Sequence, residues 1–560
     1  MSKINIYQVL VRHFGNTQTN CKPNGTIYEN GCGKMNDFTS KALSEIRKMG
    51  FTHIWYTGLL EHATQTDYSA AGILNDNPAI VKGIAGSPYA VKDYYDIDPD
   101  IAVNVTERMI EFENLVTRTH KAGLKLIMDF IPNHVARQYK SDAKPDGVID
   151  LGENDNPDWA FSPLNNFYYC PNQEFNPHFD KKNYHEYPAK ATGNDQFTAS
   201  PGINDWYETI KLNYGVNYAE GGQKQFDPLP DTWLKMYEIL RFWAAKNVDG
   251  FRCDMAEMVP VEFWHWAISK LKSEFSSLIF IAEVYNPAEY RNYIHFGGFD
   301  YLYDKVGLYD KLRDILTQNH AASDITQCWQ ALNDIKEHML NFLENHDEQR
   351  IASDFFCGNA ATAFPAMVVS ATLSKAPVMI YSGQELGERG MDSEGFSGCD
   401  GRTTIFDYWA VDTVQRWFNK GEFGTKHLTT DEKKTRDFYK KLLNICVNEK
   451  AISDGDFFDL EYCNFNNPGF NTHRHYAFMR KAENEYILII VNFEKHDSQI
   501  QLKLPAELFA YFSLTENSEV EVEDLLYPNR TPKTIMLSPD APLKLSVEAG
   551  FASILKFKNN

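Results

Sequence analysis

Four carboxylic acids in this chain stand where a short apolar run gives way to polar residues, as happens at the end of a strand. They are Asp129 in Asp129-Phe130-Ile131-Pro132-Asn133-His134, Asp254 in Gly250-Phe251-Arg252-Cys253-Asp254, Glu283 in Phe280-Ile281-Ala282-Glu283-Val284-Tyr285, and Asp347 in Asn341-Phe342-Leu343-Glu344-Asn345-His346-Asp347. A single acid at such a place is usually a turn residue or a cap. Four together, two of them close to an Asn-His pair and one preceded by Arg252, point to chemistry instead. Cleavage of a glycosidic bond with retention needs a carboxylate nucleophile and a carboxylic acid that protonates the leaving oxygen, about 5–5.5 Å apart. Strand side chains repeat every second residue, so Arg252 and Asp254 face the same way. A guanidinium beside a carboxyl favours its ionised form, which assigns Asp254 as the nucleophile. Glu283 lies among Ile281, Ala282 and Val284, an apolar setting expected to raise its pKa toward the working range of a general acid. A third carboxylate could stabilise the positive charge that develops on a sugar ring. His134 and His346 are suited to donate to sugar hydroxyls.

Residues of this kind need a frame that brings distant strand ends together. Apolar runs at Ile6–Val11, Thr52–Thr57, Lys125–Phe130, Asp249–Cys253, Ile279–Glu283, Phe299–Asp304, Met339–Leu343 and Val378–Tyr381 alternate with amphipathic segments at Lys41–Met49, Glu107–Lys121, Asp231–Lys246 and Val261–Phe275. That rhythm predicts parallel βα units closed into an α/β (β/α)8 TIM barrel, whose strand ends meet at one mouth. Residues 135–227 break the rhythm. They are rich in Asn, Tyr, Phe, Pro and Gly and are too long for a bare loop, so they read as a subdomain inserted after strand three. After residue 449 the runs His475–Arg480, Tyr486–Asn492, Ile500–Leu504 and Ala552–Phe557 read as a C-terminal antiparallel β-sandwich. The expected division is a barrel over 1–134 and 228–449, the insertion over 135–227 and the sandwich over 450–560.

Composition narrows the partners. The 560 residues carry a formal charge of −21, which disfavours nucleic acid and anionic membranes as partners, while 37 Phe, 30 Tyr and 10 Trp offer flat stacking surfaces. A neutral, ring-shaped ligand fits both facts. No segment is apolar over the length of a membrane span, and the start, Met1-Ser2-Lys3-Ile4-Asn5-Ile6-Tyr7, moves straight into a strand. Nine cysteines are scattered without paired spacing and read mainly as unpaired core thiols. Both observations lead us to expect a cytoplasmic location.

The four strand-end motifs, with Gly50-Phe51-Thr52-His53-Ile54-Trp55 and Tyr381-Ser382-Gly383-Gln384-Glu385, resemble those of glycoside hydrolase family thirteen, the α-amylase family, from Ile6 to about Trp409. The resemblance implies that Asp254 is the nucleophile, Glu283 the general acid/base and Asp347 the transition-state stabiliser, and that Arg252, His134 and His346 bind substrate. Tyr89, in Ser87-Pro88-Tyr89-Ala90, resembles the tyrosine that stacks under the sugar at the cleavage point. The implied activity is hydrolysis of α-glucosidic bonds, foremost α-1,4, in starch-derived glucans or malto-oligosaccharides. A transglycosylase, an α-1,6-acting enzyme and a non-catalytic glucan-binding relative are the alternatives. Asp129 reads as structural.

Two departures from the family pattern stand out. Where many α-amylases carry Lys-His after the nucleophile, this chain has Glu257 and Met258. Where many place a calcium-binding Asp, it has Lys211, whose ammonium has no lone pair to offer a cation. Asn133 remains as a potential ligand. We therefore expect Lys211 to replace that calcium electrostatically, no metal ligand set there, and no required cofactor. The Asn-rich loop from Asn16 to Asp37 reads as turns rather than a calcium site.

Overall fold

The computed structural model describes residues 3–528 and 534–558. Its centre is a ring of parallel strands: β1 Asn5–Leu10, β2 His53–Thr57, β3 Lys125–Phe130, β4 Gly250–Cys253, β5 Ile279–Ala282, β6 Tyr301–Tyr303, β7 Met339–Leu340 and β8 Val378–Tyr381. Spatial order follows chain order, and β8 lies beside β1. Asn341 closes the ring. Its N–H reaches Pro377 O at 3.0 Å and its carbonyl accepts from Met379 N at 2.9 Å, a parallel bridge between β7 and β8. The (β/α)8 barrel expected from the alternating runs is the fold of this chain.

The period-two repeat explains how the barrel becomes a site. Ile6, Trp55, Ile127, Ile281, Tyr303, Leu340 and Met379 form the apolar plug inside the ring. One period further along the same faces, Ile6 is followed by Gln8, Ile127 by Asp129 and Ile281 by Glu283, all buried. The interior thus changes from hydrocarbon to hydrogen-bonding groups within one layer of side chains. The alternate faces, carrying Tyr7, Tyr56, Leu126, Met128, Phe251 and Phe280, pack outward in the main core beneath the helices.

The helices begin and end for local reasons. Thr39 caps Ser40–Lys48 by accepting from Ala42 N, and Thr429 with Glu432 forms a capping box at Thr430–Asn448. Asp231–Ala244 and Val261–Glu274 each follow a proline, which has no N–H to leave unpaired. Strand β7 is shorter than the apolar run predicted. Phe342 and Leu343 are buried, but beyond the Asn341 bridge the chain leaves the ladder, and the Phe342 ring packs into the barrel at 5.1 Å from Tyr303. Asp347 accordingly stands on a loop and not at a strand end.

Between β3 and Asp231–Ala244, short antiparallel pairs replace the βα rhythm. His134–Ala136 pairs with Thr209–Lys211, and Tyr169–Cys170 with Ala189–Lys190. Cys170, Phe175, Tyr184, Ala189 and Ala199 form a separate small core there with Ile80. At the C-terminus a six-stranded antiparallel sheet lies against a two-stranded one. Alternation again sorts the side chains. Tyr476, Phe478, Ile487 and Ile489 join the barrel core, whereas Ala477, Met479, Leu488 and Ile490 face the sandwich interior. This covering explains why Phe364–Thr372 is buried on every side. All nine cysteines are free; Cys170, Cys253 and Cys446 are buried, and Cys21 and Cys399 are exposed. No helix among the described residues is long and apolar enough to cross a membrane.

Candidate active site

Arg252, fully buried at the end of β4, organises the barrel mouth. Its Nη1 donates to Asp254 Oδ1 at 2.7 Å and lies 3.4 Å from Asp129 Oδ1, its Nη2 donates to Glu283 Oε2 at 2.7 Å, and its Nε donates to Tyr303 Oη at 3.1 Å. The planar fork of donors suits this work, since one guanidinium can hold several acceptors in fixed directions. Trp55 and Tyr89 flank it, with ring centres 5.1 and 5.4 Å from Cζ. Asp129 is the structural member: Trp55 Nε1 donates to its Oδ2 at 3.0 Å and Tyr89 Oη to its Oδ1 at 3.4 Å.

Glu283 does not sit in the apolar setting that Ile281, Ala282 and Val284 suggest. Ile281 shares its face one period earlier, but both carboxylate oxygens meet donors. Oε2 accepts from Arg252 and from Met255 N at 2.9 Å, and Oε1 accepts from Tyr285 Oη at 2.5 Å. Met255, whose N–H reaches Glu283, adopts a left-handed conformation (φ 42°), uncommon for a side-chain-bearing residue.

The expectation that Arg252 keeps Asp254 ionised is also revised. Burial raises Asp254 well above the usual carboxylate range; Arg252 opposes this, while Glu283 and Asp347 reinforce it. Burial dominates, and the one guanidinium that opposes it is shared by several carboxyls. Asp347 behaves differently. Partial burial of this half-exposed side chain raises it, but His346, with Nε2 3.0 Å from Oδ2, and the charges of Arg252 and Arg402 hold it at about 2.

The predicted binding residues surround this cluster. The Tyr89 ring stacks on His346, with centres 5.0 Å apart and planes 17° apart. The Gln8 amide lies 2.7 Å from His346 Nδ1, which leaves Nε2 to face Asp347. His134 lies further out, beside Asn133 and 5.3 Å from the Trp206 ring. Burial, helped by Lys211 and Lys82, lowers His134 to about 3, so it is a neutral imidazole. Of the aromatics in the insertion, Phe167, Tyr168, Tyr169 and Tyr207 are core residues and Trp159 is exposed.

Lys211 Nζ is buried among oxygens. It donates to Asn133 Oδ1 and to Met258 O at 3.4 Å, and pairs with Asp195 Oδ1 at 2.7 Å. In the Asn16–Asp37 loop, Asn16 Oδ1 accepts from Gln18 N at 3.0 Å and Asp37 Oδ2 from Lys34 N at 2.7 Å, as turn residues do. Among the described residues one group, His62, Asp98 and Asp100, has metal-like proximity. Arg12 already supplies its positive charge, with Nη2 2.7 Å from His62 Nε2 and 3.9 Å from Asp100 Oδ2. Arg12 Nη1 also donates to Gly86 O at 3.4 Å and Ile405 O at 3.1 Å, which fastens the segment leading to Tyr89 against the loop after β8.

Sequence reasoning assigned no role to Gln8, Trp55, Tyr285 and Tyr303, and noted Glu257 only as a departure from the family pattern. For Gln8 the signal was available: it stands two residues after the inward Ile6. For Tyr285 it was the same alternation from Glu283. A groove of about 1040 Å³ on the outer wall, lined by Tyr95, Val116, Leu234 and Phe242 among others, has no comparable set of acids.

Comparison with known proteins agrees with this geometry. The family model for the α-amylase catalytic domain matches residues 8–453. "Alpha-amylase 3" of Dictyoglomus thermophilum is 24% identical over 457 residues, covering 78% of each chain. The maltogenic α-amylase AmyB of Thermotoga neapolitana superposes with a TM-score of 0.63 at 18% identity, over 100% of this chain and 99% of that one. The α-amylase of Geobacillus thermoleovorans, solved with acarbose, does so with 0.65 at 19%, over 100% and 98%. The match over most of its length shows that this chain belongs to the α-amylase family of glycoside hydrolases, glycoside hydrolase family thirteen.

Proposed function

We propose that this enzyme cleaves α-glucosidic bonds, foremost α-1,4 bonds of starch-derived glucans or malto-oligosaccharides, by double displacement. The observation that carries the proposal is the single guanidinium of Arg252 bonded to both Asp254 and Glu283. Two carboxyls on adjacent nitrogens of one planar group are near neighbours, the arrangement retention uses in place of the wider gap that inversion leaves for water. Asp254 attacks the anomeric carbon while Glu283 protonates the departing oxygen. Water, deprotonated by Glu283, then releases the sugar from Asp254. Asp347, held ionised, faces the positive charge that builds on the ring.

The raised affinity of Asp254 for protons fits this cycle. In a coupled cluster of carboxyls the proton belongs to the group as a whole. The reaction requires one proton on the acid and none on the nucleophile, and carboxyls this close can share a single proton between them. Tyr89 and His346 offer a stacked wall for the ring at the cleavage point, and neutral His134 can hydrogen-bond hydroxyls. Lys211, in its cage of oxygens, supports the reading that an ammonium takes the place of the calcium common in this family.

The test is time-resolved product analysis on starch, pullulan, cyclodextrin, maltotriose and isomaltose, with the anomer of the first product read by NMR. We expect the α-anomer to be released first from α-1,4-linked substrates. Initial release of the β-anomer would refute double displacement, and preferential cleavage of isomaltose would refute the linkage.

A further inference from the structure

The loop that follows the nucleophile touches the acid/base by two routes. Met255 N donates directly to Glu283 Oε2. Two residues on, Glu257 Oε2 accepts from both Tyr285 N at 3.1 Å and Asn286 N at 3.0 Å, and the Tyr285 hydroxyl returns to Glu283 Oε1 at 2.5 Å. The short turn Ala256–Met258 that carries Glu257 is itself pinned, because Tyr293 Oη donates to Glu257 O at 3.2 Å and to Val259 O at 3.0 Å. Carboxylate acceptance of two successive main-chain N–H groups fixes the direction of that peptide, and with it the root of the Tyr285 side chain.

We infer that Glu257 is a positioning residue for the acid/base: it fixes the Tyr285 main chain so that the tyrosine hydroxyl addresses the proton-carrying oxygen of Glu283. The inference rests on the reading of Glu283 as general acid. Oε2 already receives two donors, Arg252 and Met255, so a proton on this carboxyl belongs on Oε1. Tyr285 touches that oxygen. Its hydroxyl, bonded to Oε1, sets the direction in which a proton on that oxygen leaves. Chain departure and function meet here: the position at which many relatives hold a cation for the sugar beyond the cut carries, in this protein, an anion that serves the acid.

The signature is in the pH dependence, because a merely structural residue would change stability without moving the acid's titration. Without the tyrosine hydroxyl the ionised acid loses a stabilising donor, so the alkaline limb of kcat/KM should move to higher pH. We expect Tyr285→Phe and Glu257→Ala both to show this movement and to lose about tenfold or more on an unactivated malto-oligosaccharide, with a smaller loss on an activated aryl α-glucoside. Glu257→Gln, which keeps a carbonyl acceptor for the two N–H groups, should recover most of the loss. The double variant should be no worse than Tyr285→Phe alone, since both changes remove one route. An unmoved alkaline limb in Glu257→Ala, or multiplicative losses in the double variant, would overturn the inference. Glu283→Gln, measured on the same two substrates, separates the levels: equal losses on both would remove the acid assignment itself, whereas a selective loss with an unmoved limb in Glu257→Ala would remove only the role of Glu257.

Discussion

His346 and Asp347, consecutive in the chain, are also joined through their side chains, Nε2 to Oδ2 at 3.0 Å. The imidazole is fixed from behind by Gln8 and from its face by Tyr89. A carboxylate on a loop, with 45% of its side chain exposed, thereby gains a defined position and a firmly ionised state. Asp347→Asn should therefore lower kcat by about 10²–10³-fold, the range found when one transition-state electrostatic partner is lost, with the folded state retained. Held at about 2 instead of the ordinary 3.8, Asp347 contributes stability above pH 4 that disappears as pH falls toward 2. Because the group is half exposed, that contribution is at most about 1 kcal/mol. Acid unfolding curves of the two proteins, converging below pH 2, would check the sign.

Arg252 and Asp254 should respond in opposite ways to mutation. Asp254→Asn removes the carboxylate proposed as nucleophile, and turnover should fall by about 10⁴-fold or more. It also removes a buried carboxyl that burial disfavours, so the melting temperature should stay level or rise. Arg252→Met leaves Asp254, Glu283 and Asp129 without their cation. Loss of one partner in a buried ionic cluster costs about 3–5 kcal/mol. The deficit should shrink at acidic pH, where the carboxyls take up protons; a deficit independent of pH would count against this account. Denaturant unfolding at pH 5 and pH 8 supplies the comparison.

How far this site was legible depended on whether a residue's role is set along the strand or across the barrel. Asp254, Glu283 and Arg252 were readable because their strands end where apolar residues end, and alternation aligns Arg252 with Asp254. The proton balance was not readable. It depends on Arg252 being divided between carboxyls from three strands, which only barrel closure creates. Strand β7 misled for a related reason: Phe342 and Leu343 are apolar because they fill the barrel and core, not because they extend the ladder. Glu283 was assigned an apolar setting from its neighbours in sequence, whereas its carboxyl meets Met255 and Tyr285, brought there by two loops.

Buried carboxyls outside the site should shape the response to pH. Glu61 and Glu461 are each buried with neither carboxyl oxygen hydrogen-bonded to another side chain, and burial pushes both to about 9. A carboxyl raised in the folded state keeps its proton where the unfolded chain has lost it. Folding is therefore increasingly disfavoured as pH rises from about 4.5 to about 9. We expect the melting temperature to decline across that interval. Glu61→Gln and Glu461→Gln should raise it at pH 8.5 with little change at pH 5. A gain of equal size at both values would show that packing, not ionisation, is responsible.

Lys211 provides a test that needs no substrate. Its ammonium bonds Asn133 Oδ1, pairs with Asp195 and approaches Met258 O, so oxygens from three segments converge on one positive charge. If that charge takes the place of a divalent ion, chelation should leave the melting temperature of the wild-type enzyme unchanged. Lys211→Met removes the charge and leaves buried oxygens without a donor, at a cost of about 1–3 kcal/mol. Lys211→Asp goes further, placing a carboxylate beside Asn133 and Asp195. Without metal it should be the least stable of the three, through like-charge repulsion in a buried place. With millimolar calcium it should recover, because the same oxygens then face a cation they can ligate. A wild-type enzyme that loses stability on chelation, or a Lys211→Asp variant indifferent to calcium, would overturn the replacement. Thermal unfolding of the three proteins, with chelator and with calcium, decides between these outcomes.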